Sequence, residues 1–396
     1  MRVLVFLVIS GLAHYLGARW LLSIFAPPVS ARRRRLVFGI AFGLSLLVAA
    51  MRLLSSIHET PLLHSLLAIA VIELGVVMIS LVPVGVMTLL LRGAFAVTKR
   101  RPKEAPIVSE APPAQAITRR QAIERVAGAT VVAGTSAALG WGVVRGRHAF
   151  ALEEVEVRVK GWPRALDGYI IAQVSDIHVG PFVGDRELDE GFELVMKIRP
   201  DLVVATGDLV DFEAGGIGML AARLLRVSAR DGACAILGNH DHYAGPAEVT
   251  ARLRAAGVRV LSNESVRLRE KDGGGFALLG VDDLHGRTRG TAGFNGPDLS
   301  AALAGVDPAL PRILLAHQPK YLSEAAGRVA LQLSGHTHGG QINPGFRPAD
   351  LFMEFVAGRY ERAGTTLWVN RGFGVVGPPS RVGAPPEVTK IVIVSA

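Results

Sequence analysis

Five short polar clusters carry residue types that can do chemistry. They are Asp176-Ile177-His178, Gly207-Asp208 with Asp211, Gly238-Asn239-His240-Asp241, His317, and Gly335-His336-Thr337-His338. Histidine, aspartate and asparagine supply the nitrogen and oxygen donors suited to Mn, Fe or Zn. Alternation along a strand would turn Asp176 and His178 to one side, toward one ion. His336 and His338 would also share a side, or diverge to two ions in a loop. The donors are too many for a single catalytic metal that keeps a position open. Two metals roughly 3.5–4 Å apart, bridged by a carboxylate, would share them.

Each cluster follows a β-rich run. The predicted strands are 169–174, 202–205, 233–237, 258–261, 276–279, 313–316, 329–333, 366–369 and 388–394. Several are continuous apolar stretches, as in strands buried on both faces. Helical patterns lie over 187–198, with Asp185 as the expected N-cap, and over 216–228 and 247–256. The result is a layered α/β domain over residues 151–396. Ligand groups in open α/β sheets gather beyond the carboxyl ends of strands, which is where all five clusters fall. Periodicity does not distinguish two packed sheets from one doubly wound sheet.

In order and spacing, these motifs resemble the calcineurin-like metallophosphoesterase superfamily, and within it the membrane-associated bacterial phosphodiesterase-like branch. Leu166-Asp167-Gly168, Gly280-Val281-Asp282-Asp283, Gly339-Gly340-Gln341, Arg371-Gly372-Phe373-Gly374 and Pro386-Glu387 extend the likeness over the C-terminal domain. The resemblance implies a two-sheet sandwich flanked by helices and two divalent cations (Mn, Fe or Zn). It implies a first metal held by Asp176, His178, Asp208 and His338. The second would be held by Asp208, Asn239, His317 and His336, with Asp208 bridging. It implies hydrolysis of a phosphoester, with His240 protonating the leaving oxygen or binding phosphate and Asp211 orienting it. A carboxylate-supported imidazolium is a good general acid near neutral pH. Arg371 and Arg381 are candidate substrate-binding cations, with salt bridges as the competing role. His242 and His285 lie near the motif loops, Cys234 falls in an apolar run, and Trp162 and Trp368 read as packing residues.

The other end of the chain has a different character. Half of the 396 residues are hydrophobic and the net charge is +9, with a mean hydropathy of +0.36. Residues 1–150 hold 17 Lys+Arg against 5 Asp+Glu, and residues 151–396 hold 26 against 29. The basic charge is therefore N-terminal, and a net-negative C-terminal domain disfavours nucleic acid as a partner. Residues 1–95 contain apolar runs over about 3–26, 36–54 and 66–91, each long enough for a bilayer core needing roughly 20 residues. Residues 96–125 form a basic, Pro/Ala-rich linker. Residues 126–144 are a fourth, weaker span, or the apolar part of a twin-arginine-like signal that begins at Thr118-Arg119-Arg120. The fold expected is thus a sandwich preceded by three or four transmembrane helices.

Arg32–Arg35 and the basic residues of 92–125 belong on the cytoplasmic side. A crossing fourth span then places the catalytic domain on the extracytoplasmic face of a cell inner membrane, as a multi-pass protein. Glu73, inside the third run, is expected to pair with His14 or Arg19 or to be protonated. The function expected is a membrane-tethered hydrolase of phosphoesters, with lipid or envelope substrates, the bilayer and the phosphoester being its partners. A phosphodiesterase of soluble nucleotides, a non-catalytic scaffold on the same fold, and a transporter built from the helices are the alternatives.

Overall fold

The computed structural model describes residues 2–24, 30–55, 60–98, 119–271 and 274–396. It divides into two compact units, Met1–Gly140 and Trp141–Ala396. Of the expected linker, residues 99–118 lie outside the described residues, as does Thr118 of the twin-arginine-like motif.

The first unit is built from long helices: α1 (Arg2–Ile24), α2 (Ala31–Ser55), α3 (Pro61–Thr98) and most of α4 (Arg119–Val144). Among the described residues, the stretches Ala31–Met51, Leu62–Ala94 and Arg119–His148 are long and apolar enough to cross a membrane. The weak fourth run is therefore part of one continuous helix. Ala13, Val48, Ala70 and Leu74 pack α1, α2 and α3 together. Large apolar side chains such as Leu62, Val82 and Leu89 point outward, as suits helices solvated by lipid. Glu73 does meet His14: the His14 Nε2 lies 3.1–3.2 Å from both carboxylate oxygens, and its Nδ1 is 2.7 Å from the Ser10 carbonyl.

In the second unit the strands are β1 (Ala151–Val159), β2 (Tyr169–Val174), β3 (Leu202–Thr206), β4 (Ala233–Ile236), β5 (Arg259–Val260), β6 (Glu264–Leu268), β7 (Phe276–Gly280), β8 (Arg312–Leu315), β9 (Leu331–Ser334), β10 (Gly358–Arg362), β11 (Thr365–Val369) and β12 (Glu387–Ser395). They form two six-stranded sheets, ordered β1-β12-β2-β3-β4-β5 and β10-β11-β9-β8-β7-β6. Both sheets are mixed: β2, β3, β4 and β5 run parallel, as do β7, β8, β9 and β11, while β12–β2, β6–β7 and β10–β11 are antiparallel. Ile171, Val204 and Ile236 of one sheet face Leu278, Ile313 and Leu333 of the other in a shared core. The outer face of the first sheet is covered by α5 (Asp185–Ile198), α6 (Ile217–Arg226) and, beyond the short α7 (Asn239–Ala244), α8 (Pro246–Ala255). This is the two-sheet sandwich flanked by helices.

The local reasons are visible in α5. Leu188, Phe192, Val195 and Ile198 form its buried stripe, the spacing of an amphipathic helix. The Glu187 carboxylate accepts from the Gly184 N–H at 3.0 Å. The N-cap is therefore Gly184, and Asp185 is the first helical residue, where a negative charge favours the helix dipole. Arg199 ends the helix in a left-handed conformation, and Pro200 cannot continue it.

Candidate metal centre

The five clusters converge at one end of the sandwich, beyond the ends of β2, β3 and β4 in one sheet and β8 and β9 in the other. Ligand atoms of Asp176, His178 and His338 come within 4.8 Å of one another, as do those of Asp208, His317 and His336. Asp208 also groups with His178 and His240. It therefore sits between the two sets. Asn239, the first residue of α7, presents a buried Oδ1 with no hydrogen-bond partner.

Strand alternation does not place these side chains. Asp176 and His178 lie past the end of β2, and both have φ near +52°. Asp208, His336 and His338 are also left-handed, at +51°, +73° and +51°. That conformation costs an L-residue roughly 1–2 kcal/mol, and such strain gathers at functional sites. The loop glycines have a steric reason. A Cβ on Gly335 would lie 1.9 Å from Ser175 Oγ and 2.1 Å from Asp176 Oδ2, and one on Gly238 would lie 2.3 Å from Asp208 Oδ1.

Hydrogen bonds hold the donors in place. The His336 N–H donates to the Asp176 carboxylate at 2.9 Å, and the His240 N–H to Asp208 Oδ1 at 2.7 Å. His317 Nδ1 sits 2.8 Å from the Thr206 carbonyl, which leaves its Nε2 to face Asp208 Oδ2 at 3.2 Å. Such a bond fixes the tautomer of a ligating histidine. His240 Nδ1 is 2.7 Å from the Asp211 carbonyl and 3.2 Å from its Oδ1. Asp241, quoted in the sequence motif without a role, is fully buried and accepts from the N–H groups of Gly238, Leu209 and Val210. It ties the loop after β4 to the loop after β3.

Two observations fit a pair of cations. His178 Nε2 faces His338 Nε2 at 3.0 Å, and His317 Nε2 faces His336 Nδ1 at 3.2 Å. His178 Nδ1 and Asn239 Oδ1 are buried without hydrogen-bond partners. Nitrogens converging on nitrogens is what a cation between them would satisfy. The electrostatics agree. Burial drives His178 down to about 4, His336 to about 3 and His338 well below the ordinary imidazole range. These rings are neutral at pH 7, the form that ligates metal. Burial acts to raise Asp208, but the His317 charge and hydrogen bond, with smaller contributions from neighbouring histidines, together hold the carboxyl well below its ordinary range. Burial pushes Asp176 up to about 6 and Asp241 up to about 7. Burial opposes the charge on His240, and the Asp211 hydrogen bonds together with the Asp208 and Asp211 charges overcome it, leaving the ring raised.

The two arginines differ, and Arg381 departs from the expectation. Arg381 is 1% exposed. Its guanidinium donates to the carbonyls of Gly374, Arg371, Gly372, Ala384 and His338 and lies 3.2 Å from His338 Nδ1. Its donors are spent on backbone, so it braces the ligand loop and is not open to substrate. Arg371 is partly exposed, and its charge is matched by Glu387 at 2.7 Å and by Glu153. His242 donates to Asp282 at 2.8 Å. Cys234 is buried, with its thiol pushed up to about 11, and the Trp162 indole packs in the core and donates to the Leu166 carbonyl.

Comparison with known proteins points the same way. The profile described as calcineurin-like phosphoesterase matches residues 169–340, a stretch holding all seven candidate ligands. A "transmembrane protein with metallophosphoesterase domain" from Bos taurus is 36% identical over 265 residues, covering 64% of this chain and 60% of that protein. A namesake from Danio rerio is 34% identical, so the chain spans about 60% of the length of these two relatives. An "uncharacterized metallophosphoesterase" from Bacillus subtilis is 32% identical over 283 residues, 69% of this chain and 96% of that one. With that relative covered almost end to end and the ligand-bearing loops inside the matched stretch, the chain belongs to the calcineurin-like metallophosphoesterase family.

Proposed function

We propose that the chain is a membrane-tethered hydrolase of phosphoesters that works with two divalent cations, Mn, Fe or Zn. The observation that carries this is the convergence of Asp176, His178 and His338 with Asp208, His317 and His336 around a shared Asp208. Asp176, His178, Asp208 and His338 would hold one ion, and Asp208, Asn239, His317 and His336 the other. When bound, such a pair activates water and neutralises phosphoryl charge.

The protein's own groups do the rest. His240 stands at the edge of the site with its Nδ1 held by Asp211. That leaves Nε2 to meet a leaving oxygen, and the raised affinity of His240 for its proton suits a general acid. Asp211 fixes the ring and supports its charge. Asp241 keeps the loops of Asp208 and Asn239 in register.

The apolar helices and the names of the two vertebrate relatives support a membrane location. The basic loops support an inner-membrane, multi-pass topology with the catalytic domain on the extracytoplasmic side. A C-terminal alkaline phosphatase or fluorescent-protein fusion reads that side directly.

The test is a screen of the purified full chain, in detergent and in vesicles, against phosphomonoesters, diesters and phospholipids with Mn, Fe or Zn added. Metal-dependent release of phosphate or alcohol is expected. Activity unchanged by chelator would overturn the reading, and activity on soluble nucleotides alone would favour the nucleotide phosphodiesterase. His240→Ala is expected to lower turnover by about 10²–10⁴-fold on alkyl esters and much less on nitrophenyl esters. Equal losses on both would remove His240 as the acid.

A further inference from the structure

The loop following the His336–Gly340 turn is apolar where water should disfavour it. Residues 345–353 read Gly-Phe-Arg-Pro-Ala-Asp-Leu-Phe-Met. Phe352 is 85% exposed, Leu351 73% and Phe346 61%, and Met353 is exposed beside them. A contiguous exposed apolar patch marks an interaction site. The charges around it are matched locally, Arg347 by Asp350 at 2.7 Å and Arg362 by Glu354. The patch therefore presents apolar surface rimmed by neutralised arginines.

Its anchoring shows what lies nearby. The Asn343 N–H donates to the Val382 carbonyl at 2.7 Å, and the Asn343 amide donates to the Gly383 carbonyl at 3.2 Å. The preceding residue of that segment, Arg381, donates its N–H to the Gly142 carbonyl at 3.3 Å. A Cβ on Gly146 would fall 2.0 Å from the Arg381 carbonyl oxygen. Gly142 and Gly146 belong to the C-terminal end of the apolar stretch Arg119–His148. Trp141 and Val144 are exposed there, and an aromatic residue at the end of a span is a membrane-interface marker. One short segment, 381–383, thus carries both the apolar loop and the end of α4.

We propose that loop 345–353 docks on the bilayer that α4 enters, with Phe346, Leu351, Phe352 and Met353 seated at the boundary of headgroups and acyl chains. This rests on the reading of α4 as a membrane span. Lipid is the occupant favoured over a second copy because the tether keeps the bilayer at high effective concentration beside the loop. Exposed aromatic and aliphatic side chains beside a span also fit an interfacial segment. The loop leaves directly from the turn bearing His336 and His338, so docking would hold the metal centre at the lipid surface.

The test uses the full chain in phosphatidylcholine–phosphatidylglycerol vesicles with brominated acyl chains. An environment-sensitive fluorophore is placed at Phe352→Cys or, as a second position, Leu351→Cys. Glu264→Cys on the exposed edge strand β6 is the aqueous control, and Val132→Cys in α4 reports the span. Cys234 is buried and stays unlabelled. Blue-shifted emission and its loss to bromolipid are expected at 351, 352 and 132, with neither at 264. Quenching at 132 but not at 351 or 352 overturns the docking while leaving the span in place. No quenching at 132 overturns the span itself. Cross-linking between copies through Phe352→Cys, without quenching, gives the patch to a second chain and also overturns the proposal.

Discussion

Both units of this protein bury histidine beside carboxylate, and they do so in opposite ways. Among the N-terminal helices, His14 spends one nitrogen on Glu73 and the other on the Ser10 carbonyl. Each polar group meets its complement, which is how a polar pair survives in an apolar bundle. In the second unit, histidine nitrogens face other histidine nitrogens, and His178 Nδ1 and Asn239 Oδ1 have no hydrogen-bond partner. The first arrangement is closed and structural. The second is open, and its donors are suited to a cation. Burial of a histidine therefore says little about function until the group it faces is known.

The largest expected effect would test the open site. Asp208→Asn removes the carboxylate shared by both donor sets. Phosphoester hydrolysis should fall by on the order of 10³-fold or more, a loss at or above that for a catalytic donor. Bound metal, measured by plasma mass spectrometry, should fall with it, while the circular dichroism spectrum is kept. Full activity would mean that the site is as closed as the helical pair.

Asp241→Asn is the next step down, because the Asp241 carboxylate accepts from the loop N–H groups of Leu209, Val210 and Gly238 and stands outside both donor sets. Support groups of this kind are worth about 10–100-fold in metal affinity or activity, read by metal titration. A loss as deep as that of Asp208→Asn would make Asp241 a ligand.

The His242–Asp282 pair resembles the helical kind inside the catalytic unit. Burial lowers the proton affinity of His242, but the Asp282 hydrogen bond and the charges of Asp282, Asp283 and Asp241 together outweigh it and the pKa is raised above 6.5. The folded state thus favours the protonated ring. Its stabilisation is complete below the unfolded value and disappears as pH rises through the raised folded value. His242→Gln should cost about 1.5–3 kcal/mol at acid pH and less in alkali, by denaturant melts across pH. A penalty that grows with pH would reverse the assignment.

The smallest effect is expected from Glu73→Gln. It should destabilise the helical unit by about 0.6–2 kcal/mol, read by thermal unfolding in detergent, and leave kcat unaltered. Lost hydrolysis would break the division of labour between the two units.

Much of the sandwich was legible from residue order. The nine predicted strands are all present within a few residues. The three that were missed, β1, β6 and β10, are edge strands rich in charge, such as Glu264–Leu268 and Gly358–Arg362. Edges carry charge to discourage further pairing, so they do not read as buried strands. The candidate donors that converge were legible because their types and spacing are specific. Arg381 was misread because an arginine in a loop is ordinarily a surface group, and nothing local signals five carbonyls converging on it. Asp241 carried a faint signal, since it lies inside the Gly-Asn-His-Asp motif.

The sequence by itself determined which donors exist, which strands carry them, and where the apolar helices lie, because these follow from residue type and short-range periodicity. Tertiary structure alone decided that Asp208 stands between two donor sets, that five of the seven candidate donors hold left-handed backbone, and that Arg381 is a brace. Those properties depend on segments more than 100 residues apart, such as Asp176 and His336, and on backbone geometry that non-glycine residues do not announce. They arise only when two sheets pack and their strand ends meet.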